Sequence, residues 1–134
     1  MIVYERGWRS SFDKVIALYS EAGWTNYTRD PAMLQAALKG SMEVITAWDG
    51  DELCGIVRTV GDGSSICYIQ DIITAKAYRR RGVGTNLIGE CLKKSSYQTV
   101  LLTDDRPDTA AFYRSLGFTE AGEHKCKAFV RFGK

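Results

Sequence analysis

The chain opens with a short strand-like run, IVYE. Phe12, Val15, Ile16, Leu18 and Tyr19 then recur mostly three and four residues apart, which predicts a helix ending near Gly23. The WTNYTRDP stretch that follows is dense in turn formers and reads as a loop. Asp30 is placed to cap a second short helix, with Pro31 at its first position and Met33, Leu34, Ala37 and Leu38 on one face. Three strands come next, Met42 to Trp48, Glu52 to Val60 and Ser65 to Thr74. They are divided by Asp49-Gly50-Asp51 and Gly61-Asp62-Gly63-Ser64, turn chemistry that suits an antiparallel meander. Gly82 to Lys94 returns to helical spacing, with Val83, Leu87, Ile88, Cys91 and Leu92 as its apolar stripe. TVLLT, Thr99 to Thr103, reads as a buried strand, and the crossover from Thr74 to Thr99 predicts a right-handed βαβ unit with a parallel pair. PDTAAFYRSLGF is a further helix with Pro107 near its start and Gly117 as a left-handed cap. Phe118 to Thr119 and Cys126 to Phe132 read as closing strands. The order β-α-α-β-β-β-α-β-α-β-β predicts an α+β fold, a mixed sheet flanked by helices.

Composition narrows this little. At 134 residues the chain has room for one domain, residues 1–134, with a core that needs no disulfide or metal to staple it. Eighteen basic residues against 16 acidic ones give a net charge of +2, too mild for a surface built wholly to grip nucleic acid, so any anion site is local. MIVYERGWRSSF does not resemble a secretory leader, and no apolar run approaches the roughly twenty residues of a membrane span. The expected setting is cytoplasmic, with no membrane partner. Cys54, Cys67, Cys91 and Cys126 are unevenly spaced and His124 is the only histidine, poor arithmetic for a metal site. Four reduced cysteines acting as small core hydrophobes are expected instead.

Candidate chemistry gathers in AKAYRRRGVGTNLIGECL, Ala75 to Leu92, where three arginines and a Gly-x-Gly precede the helix. A helix N-terminus carries unsatisfied N–H groups and partial positive charge, so bare backbone and guanidinium there suit an anion. A Rossmann pattern beginning at Gly82 lacks its third glycine, because position 87 is Leu87. A Walker pattern beginning at Gly84 has Glu90 and Cys91 where lysine and Ser/Thr belong. A nucleic-acid surface built on Arg79 to Arg81 would want more basic neighbours than this chain offers.

Arg79-x-x-Gly82-x-Gly84, after a strand and opening a helix, resembles the acetyl-CoA signature Q/R-x-x-G-x-G/A of the GNAT N-acetyltransferases. AAFYRSLGF, Ala110 to Phe118, is similar to that family's F-Y-x-x-x-G-F, and with the element order the likeness covers essentially the whole chain. It implies a GNAT-type fold, a mixed sheet of about seven strands flanked by four helices. It also implies acetyl-CoA as co-substrate, its pyrophosphate held by the turn Arg79, Arg80, Arg81, Gly82, Val83, Gly84 and Thr85. Pairing of two copies through the last strands is implied as well. Two positions depart from the pattern. Arg106 stands where the family often has a CoA-binding asparagine, and a phosphate is its alternative target. Arg80 stands where many members have glycine.

The implied reaction is direct attack of a primary amine on the thioester in a ternary complex, the acceptor being a small molecule or a peptide. Holding the two reactants together removes roughly 7 to 11 kcal/mol of barrier, so few special groups are needed. Tyr113, which the likeness puts near the thioester sulfur, is the candidate acid for the leaving thiolate, with packing beside Phe112 as its alternative role. Strict alternation in ICYIQDIIT puts Cys67, Ile69, Asp71 and Ile73 on one face. Burial of Asp71 there would raise its pKa toward that of a base, unless a partner holds it ionised. Base, ligand for the substrate ammonium and structural acceptor all stay open for it. Gln70 takes over if a bulge reverses the register, as is common in this family's fourth strand. The oxyanion donor is expected among the backbone N–H groups of Ile72, Ile73 and Thr74. Trp24 and Tyr27 would join Asp71 around a small cation, or pack as a helix-hairpin core. Asp104 and Asp105 are expected chiefly to cap the helix after them. A CoA-binding sensor without turnover is the rival function.

Overall fold

The computed structural model describes residues 1–93 and 98–133. Five strands form one sheet in chain order: β1 (Ile2–Arg6), β2 (Glu43–Asp49), β3 (Glu52–Gly61), β4 (Ile66–Thr74) and β5 (Gln98–Leu101). Neighbours from β1 to β4 run antiparallel, β2 to β4 being linked by turns, and β4 pairs β5 in parallel across a helical crossover. The helices are α1 (Phe12–Glu21), α2 (Thr25–Thr28), α3 (Pro31–Gly40), α4 (Val83–Leu92) and α5 (Pro107–Ser115), with 3-10 turns at Lys76–Tyr78 and Ala121–His124. The expected end of α4 at Lys94 lies outside the described residues.

Two compact units divide the chain, residues 1–102 and 103–134. In the first, one face of the sheet packs α1 and α3 through Val15, Leu18, Tyr19, Leu34 and Leu38 against Val44, Trp48, Ile56 and Ile73. Val15, Tyr19, Leu34 and Trp48 are wholly buried. Burial of a large apolar side chain stabilises by roughly 1.5–3 kcal/mol, against 0–1 kcal/mol for a surface ion pair, so the core and not the ion pairs holds this platform. Asp30 caps α3 as expected, accepting from the Met33 N–H at 3.2 Å. On the other face α4 buries Val83, Leu87, Ile88 and Cys91. It sits so close to β3 that a Cβ on Gly55 would lie 2.8 Å from Val83 Cγ1.

In the second unit, α5 begins with Pro107 and is followed by Gly117 at φ +94°, both as expected. Arg114 then ties the end of α5 to Glu120 and Glu123, each at 3.0 Å. Glu123 in turn accepts from the Glu120 N–H at 3.0 Å, closing the 3-10 turn.

Several expectations are corrected. Neither Phe118–Thr119 nor Cys126–Phe132 is a strand, so the sheet has five strands among the described residues and not seven. Strand-like alternation supplies no ladder partner by itself, and Phe129 and Phe132 are 92% and 88% exposed. β5 is consequently an edge strand, with Val100 and Leu102 exposed where a buried strand was expected. The WTNYT segment is not a loop throughout but closes into α2.

Candidate active site

The turn before α4 is assembled by backbone conformation. Arg79 is extended, Arg80 has φ +62° and Gly82 has φ +80°, the second being the N-cap of α4. No side chain caps the helix, and the first bond back to the cap is Asn86 N–H to the Gly82 carbonyl at 3.0 Å. The amides of Val83, Gly84 and Thr85 therefore stand at the positive end of α4 without a capping partner, an arrangement that suits phosphate oxygens. Arg80 shows why glycine suits its position, since the left-handed region is strained for a residue with a Cβ. Of the three arginines, Arg81 packs its guanidinium 4.8 Å over the Tyr78 ring. Arg79 and Arg80 are exposed.

β4 leads into this turn. Its parallel ladder with β5 covers only Ile66 to Ile69, matched to Gln98 to Leu101, so Gln70 to Thr74 runs on beyond the end of β5. Ile72, Ile73 and Thr74 thus lie past the β5 ladder, and Ile73 is buried.

The register of β3 against β4 overturns the expected alternation. Arg58 pairs with Asp71 but Thr59 pairs with Ile69, leaving Gln70 as an extra residue in a bulge. Cross-strand partners share a face. Ile69 therefore lies on the α4 side with Thr59, whereas Asp71 and Ile73 lie with Arg58 and Ile56 on the α1 side. Gln70 is not on the opposite face from Asp71, because its Nε2 reaches Tyr27 Oη at 3.5 Å.

Asp71 is 3% exposed and fully engaged. Its Oδ2 accepts from Arg58 Nε at 2.8 Å and Tyr19 Oη at 3.0 Å, and its Oδ1 accepts from Tyr27 Oη at 3.1 Å. Arg58 Nη2 also donates to Tyr27 Oη at 3.0 Å. Burial, and then the Asp71 charge and hydrogen bond, push the Tyr19 phenol far above its usual range, so it remains a donor. Burial acts against the Arg58 charge, but the Asp71 hydrogen bond and charge outweigh it and raise the guanidinium. Trp24 packs edge-on to Tyr19 at 5.7 Å and tilted to Tyr27 at 6.4 Å between ring centroids. Trp24, Tyr27 and Asp71 are thus brought together, with the two aromatics in a packed cluster. Arg58 is the partner that sequence reasoning missed. Its signal was a lone charge inside the apolar β3 run CGIVRTV.

In the second unit Tyr113 stacks edge-on with Phe112 at 5.0 Å and Phe118 at 5.8 Å. Burial raises its phenol above the ordinary value, a hydrogen bond with Thr103 pulls it down, and the Asp104 charge adds to the rise. Arg106 is the α5 N-cap residue, and its guanidinium grips Asp108 at 3.1 and 3.2 Å. No side chain caps α5, so the expected capping by Asp104 or Asp105 is not found. Cys54, Cys67 and Cys91 are buried free thiols, and burial pushes Cys91 up to about 12. Cys126 is exposed, contrary to its expected place in a core. Among the described residues no group of three or more His, Cys, Asp or Glu side chains could hold a metal, and no helix is long and apolar enough to cross a membrane.

Residues 13–134 match the family model described as an acetyltransferase (GNAT) domain. The chain belongs to the GNAT acetyltransferase family. Acetyl transfer to an amine is the general reaction of that family, and acetyl-CoA its general donor. This GNAT domain is 34% identical to a GNAT family acetyltransferase of Streptococcus pneumoniae TIGR4, with TM-score 0.88 over 100% of this chain and 99% of that one. It is also similar to the mycothiol acetyltransferase of Corynebacterium glutamicum (strain R), 30% identical over 129 residues. That match takes in 91% of this chain but 44% of the relative, so the chain spans less than half the length of that protein. An aminoglycoside acetyltransferase from an uncultured soil metagenomic sample, solved with sisomicin, shares the fold at TM-score 0.70 and 19% identity, covering 99% of this chain and 95% of that one.

Proposed function

We propose that this GNAT domain transfers the acetyl group of acetyl-CoA to a primary amine of a small molecule or peptide, by direct attack in a ternary complex. Two observations support this reading: Gln70 to Thr74 of β4 extend past the β5 ladder, and α4 starts without a side-chain cap. A thioester carrier with a diphosphate would meet backbone amides at both places. Backbone amides of Ile72 to Thr74 would hold the acyl arm and meet the developing oxyanion. Those of Gly82 to Thr85, with Arg79 and Arg80, would hold the phosphates. Arg106 is available to a phosphate only if it leaves Asp108.

Tyr113 is the proposed acid for the leaving thiolate. A phenol raised above its ordinary value stays protonated at neutral pH and can give its proton as sulfur departs. Asp71 already accepts from Arg58, Tyr19 and Tyr27, which favours a positioning role over that of base. It fixes Tyr27 and, through that phenol, Gln70 on the acceptor side. The acceptor then reaches the site as the free amine.

An amine acceptor of the kind the relatives' names indicate, such as a sugar-linked amine, fits this scheme. The two units are proposed to serve one reaction as a single acetyltransferase domain. Three buried reduced thiols accord with a cytoplasmic setting. A homodimer is proposed from the open β5 edge and the exposed C-terminal segment.

The test is thiol release from acetyl-CoA across a broad amine panel, with mass-spectrometric identification of acetylated products. Acceptor-dependent release of one thiol per product is expected. CoA binding with no acceptor-dependent release across the panel would mean a sensor instead.

A further inference from the structure

The diphosphate turn is supported from behind by groups that the acetyl-transfer scheme does not use. Tyr78 ends the 3-10 turn immediately before Arg79 and is 6% exposed. Its phenolic oxygen lies 2.8 Å from Asp49 Oδ2 and 2.8 Å from Glu52 Oε2. A phenol carries one proton and so donates to only one of these carboxylates. The other oxygen–oxygen contact needs a second proton or a nearby cation. Arg81 lies against the same phenol, its guanidinium 4.8 Å over the Tyr78 ring.

Asp49 is the last residue of β2 and Glu52 the first of β3. Both ends of that hairpin turn therefore meet on one phenol, and the phenol's ring carries one arginine of the phosphate turn. Main-chain hydrogen bonds across Ala75 to Arg79 include Ala75 N–H to Cys54, Tyr78 N–H to Ala75 and a long 3.4 Å bond from Arg79 N–H to Lys76, while the Lys76 N–H donates to the Glu21 carboxylate at 2.7 Å. Side-chain anchorage thus contributes to where this segment sits.

We infer that Tyr78, Asp49 and Glu52 form a positioning clamp for the phosphate turn, with the hairpin carboxylates fixing the phenol and the phenol seating Arg81. The clamp holds the amides of Val83, Gly84 and Thr85 in line for a diphosphate, an inference that rests on the function proposed above. Tyr78 touches no reacting atom and acts through Arg81 and the backbone.

The test has two arms. In the first, amide hydrogen exchange of the free protein is compared between wild type and Tyr78→Phe. In the second, CoA binding is measured by calorimetry on both and on Glu52→Gln. Loss of a hydrogen bond to a charged group predicts about tenfold faster exchange over residues 79–85 in Tyr78→Phe, with α1 unchanged, and about tenfold weaker CoA binding. Glu52→Gln is the conservative rescue, since its carboxamide N–H donates to the phenol oxygen while the phenol donates to Asp49. It should bind CoA within twofold of wild type. Unchanged exchange in Tyr78→Phe overturns the clamp, as does a Glu52→Gln loss as large as that of Tyr78→Phe. Wild-type protein that fails to bind CoA overturns the diphosphate assignment, and the exchange arm still decides whether the hairpin holds the turn.

Discussion

At Arg80 the backbone and the side chain make opposite demands. A φ of +62° costs a non-glycine residue roughly 1–2 kcal/mol, while the proposed role of the guanidinium is to meet phosphate. Substitution separates the two. Arg80→Gly should melt at least as high as wild type and Arg80→Ala no higher, whereas both should weaken CoA binding alike. Thermal melts and calorimetry on the pair check this, and equal melting of the two variants would remove strain from the account. Tyr113 poses a similar question of chemistry against packing. Tyr113→Phe keeps the ring contacts to Phe112 and Phe118, so CoA affinity should stay within twofold. Turnover should fall by about 10²–10⁴-fold, the usual worth of a positioned acid. Because the phenol is raised, the wild-type rate should hold to above about pH 10 before this acid is lost on the alkaline side, and that limb should vanish in the variant. A kcat–pH profile unchanged by the substitution would assign the proton to another donor. These roles were partly readable beforehand, since glycines and arginines before a helical stripe announce an anion site. Arg58 was not identified, because nothing local says which charge will lie across a strand from Asp71.

Among the elements, the close seating of α4 on β3 controls the site. A Cβ at residue 55 would stand 2.8 Å from Val83 Cγ1, 3.0 Å from Leu87 Cδ1 and 3.2 Å from the Ile73 carbonyl oxygen. Gly55→Ala therefore has to push the first turn of α4, whose amides face the proposed phosphates, away from the sheet. Overpacking of this kind costs about 1–3 kcal/mol. Chemical denaturation should show that loss together with weaker CoA binding, and Val83→Ala in the same chain should restore part of both by making room. If Gly55→Ala destabilises without touching CoA affinity, the seating is structural only. Helices and the meander were legible because period and turn chemistry are local. The bulge at Gln70 was expected only as an alternative that the family likeness offers, since nothing in ICYIQDIIT itself marks an extra residue. Only the pairing of Arg58 with Asp71 and Thr59 with Ile69 reveals the extra residue that turns Asp71 away from the face of Ile69. The closing strands failed for the related reason that a strand needs a partner, which its own alternation does not name.

The whole molecule leaves two matching features open. Among the described residues β5 has a ladder partner on one side only, with Val100 36% exposed and Leu102 just after it 53% exposed. The C-terminal segment is rich in apolar residues in AFVRF, yet forms no strand among the described residues and exposes Val130 at 52% beside Phe129 and Phe132. Open edges and strand-competent segments invite pairing, and every copy of the chain carries both. Burying each phenylalanine stabilises by roughly 1.5–3 kcal/mol, so two copies exchanging two such residues each gain enough to offset much of the cost of association. The proposed homodimer would lay the segment Cys126 to Phe132 of one chain against an open edge of the other. Light scattering after size exclusion should give twice the mass of the chain for wild type at micromolar concentration. Phe129→Asp with Phe132→Asp should give the single mass while CoA binding at the α4 turn persists, because both changes lie outside the residues assigned to the phosphates. A wild-type protein that runs as a monomer, or a double variant that still runs at twice the chain mass, would refute the pairing.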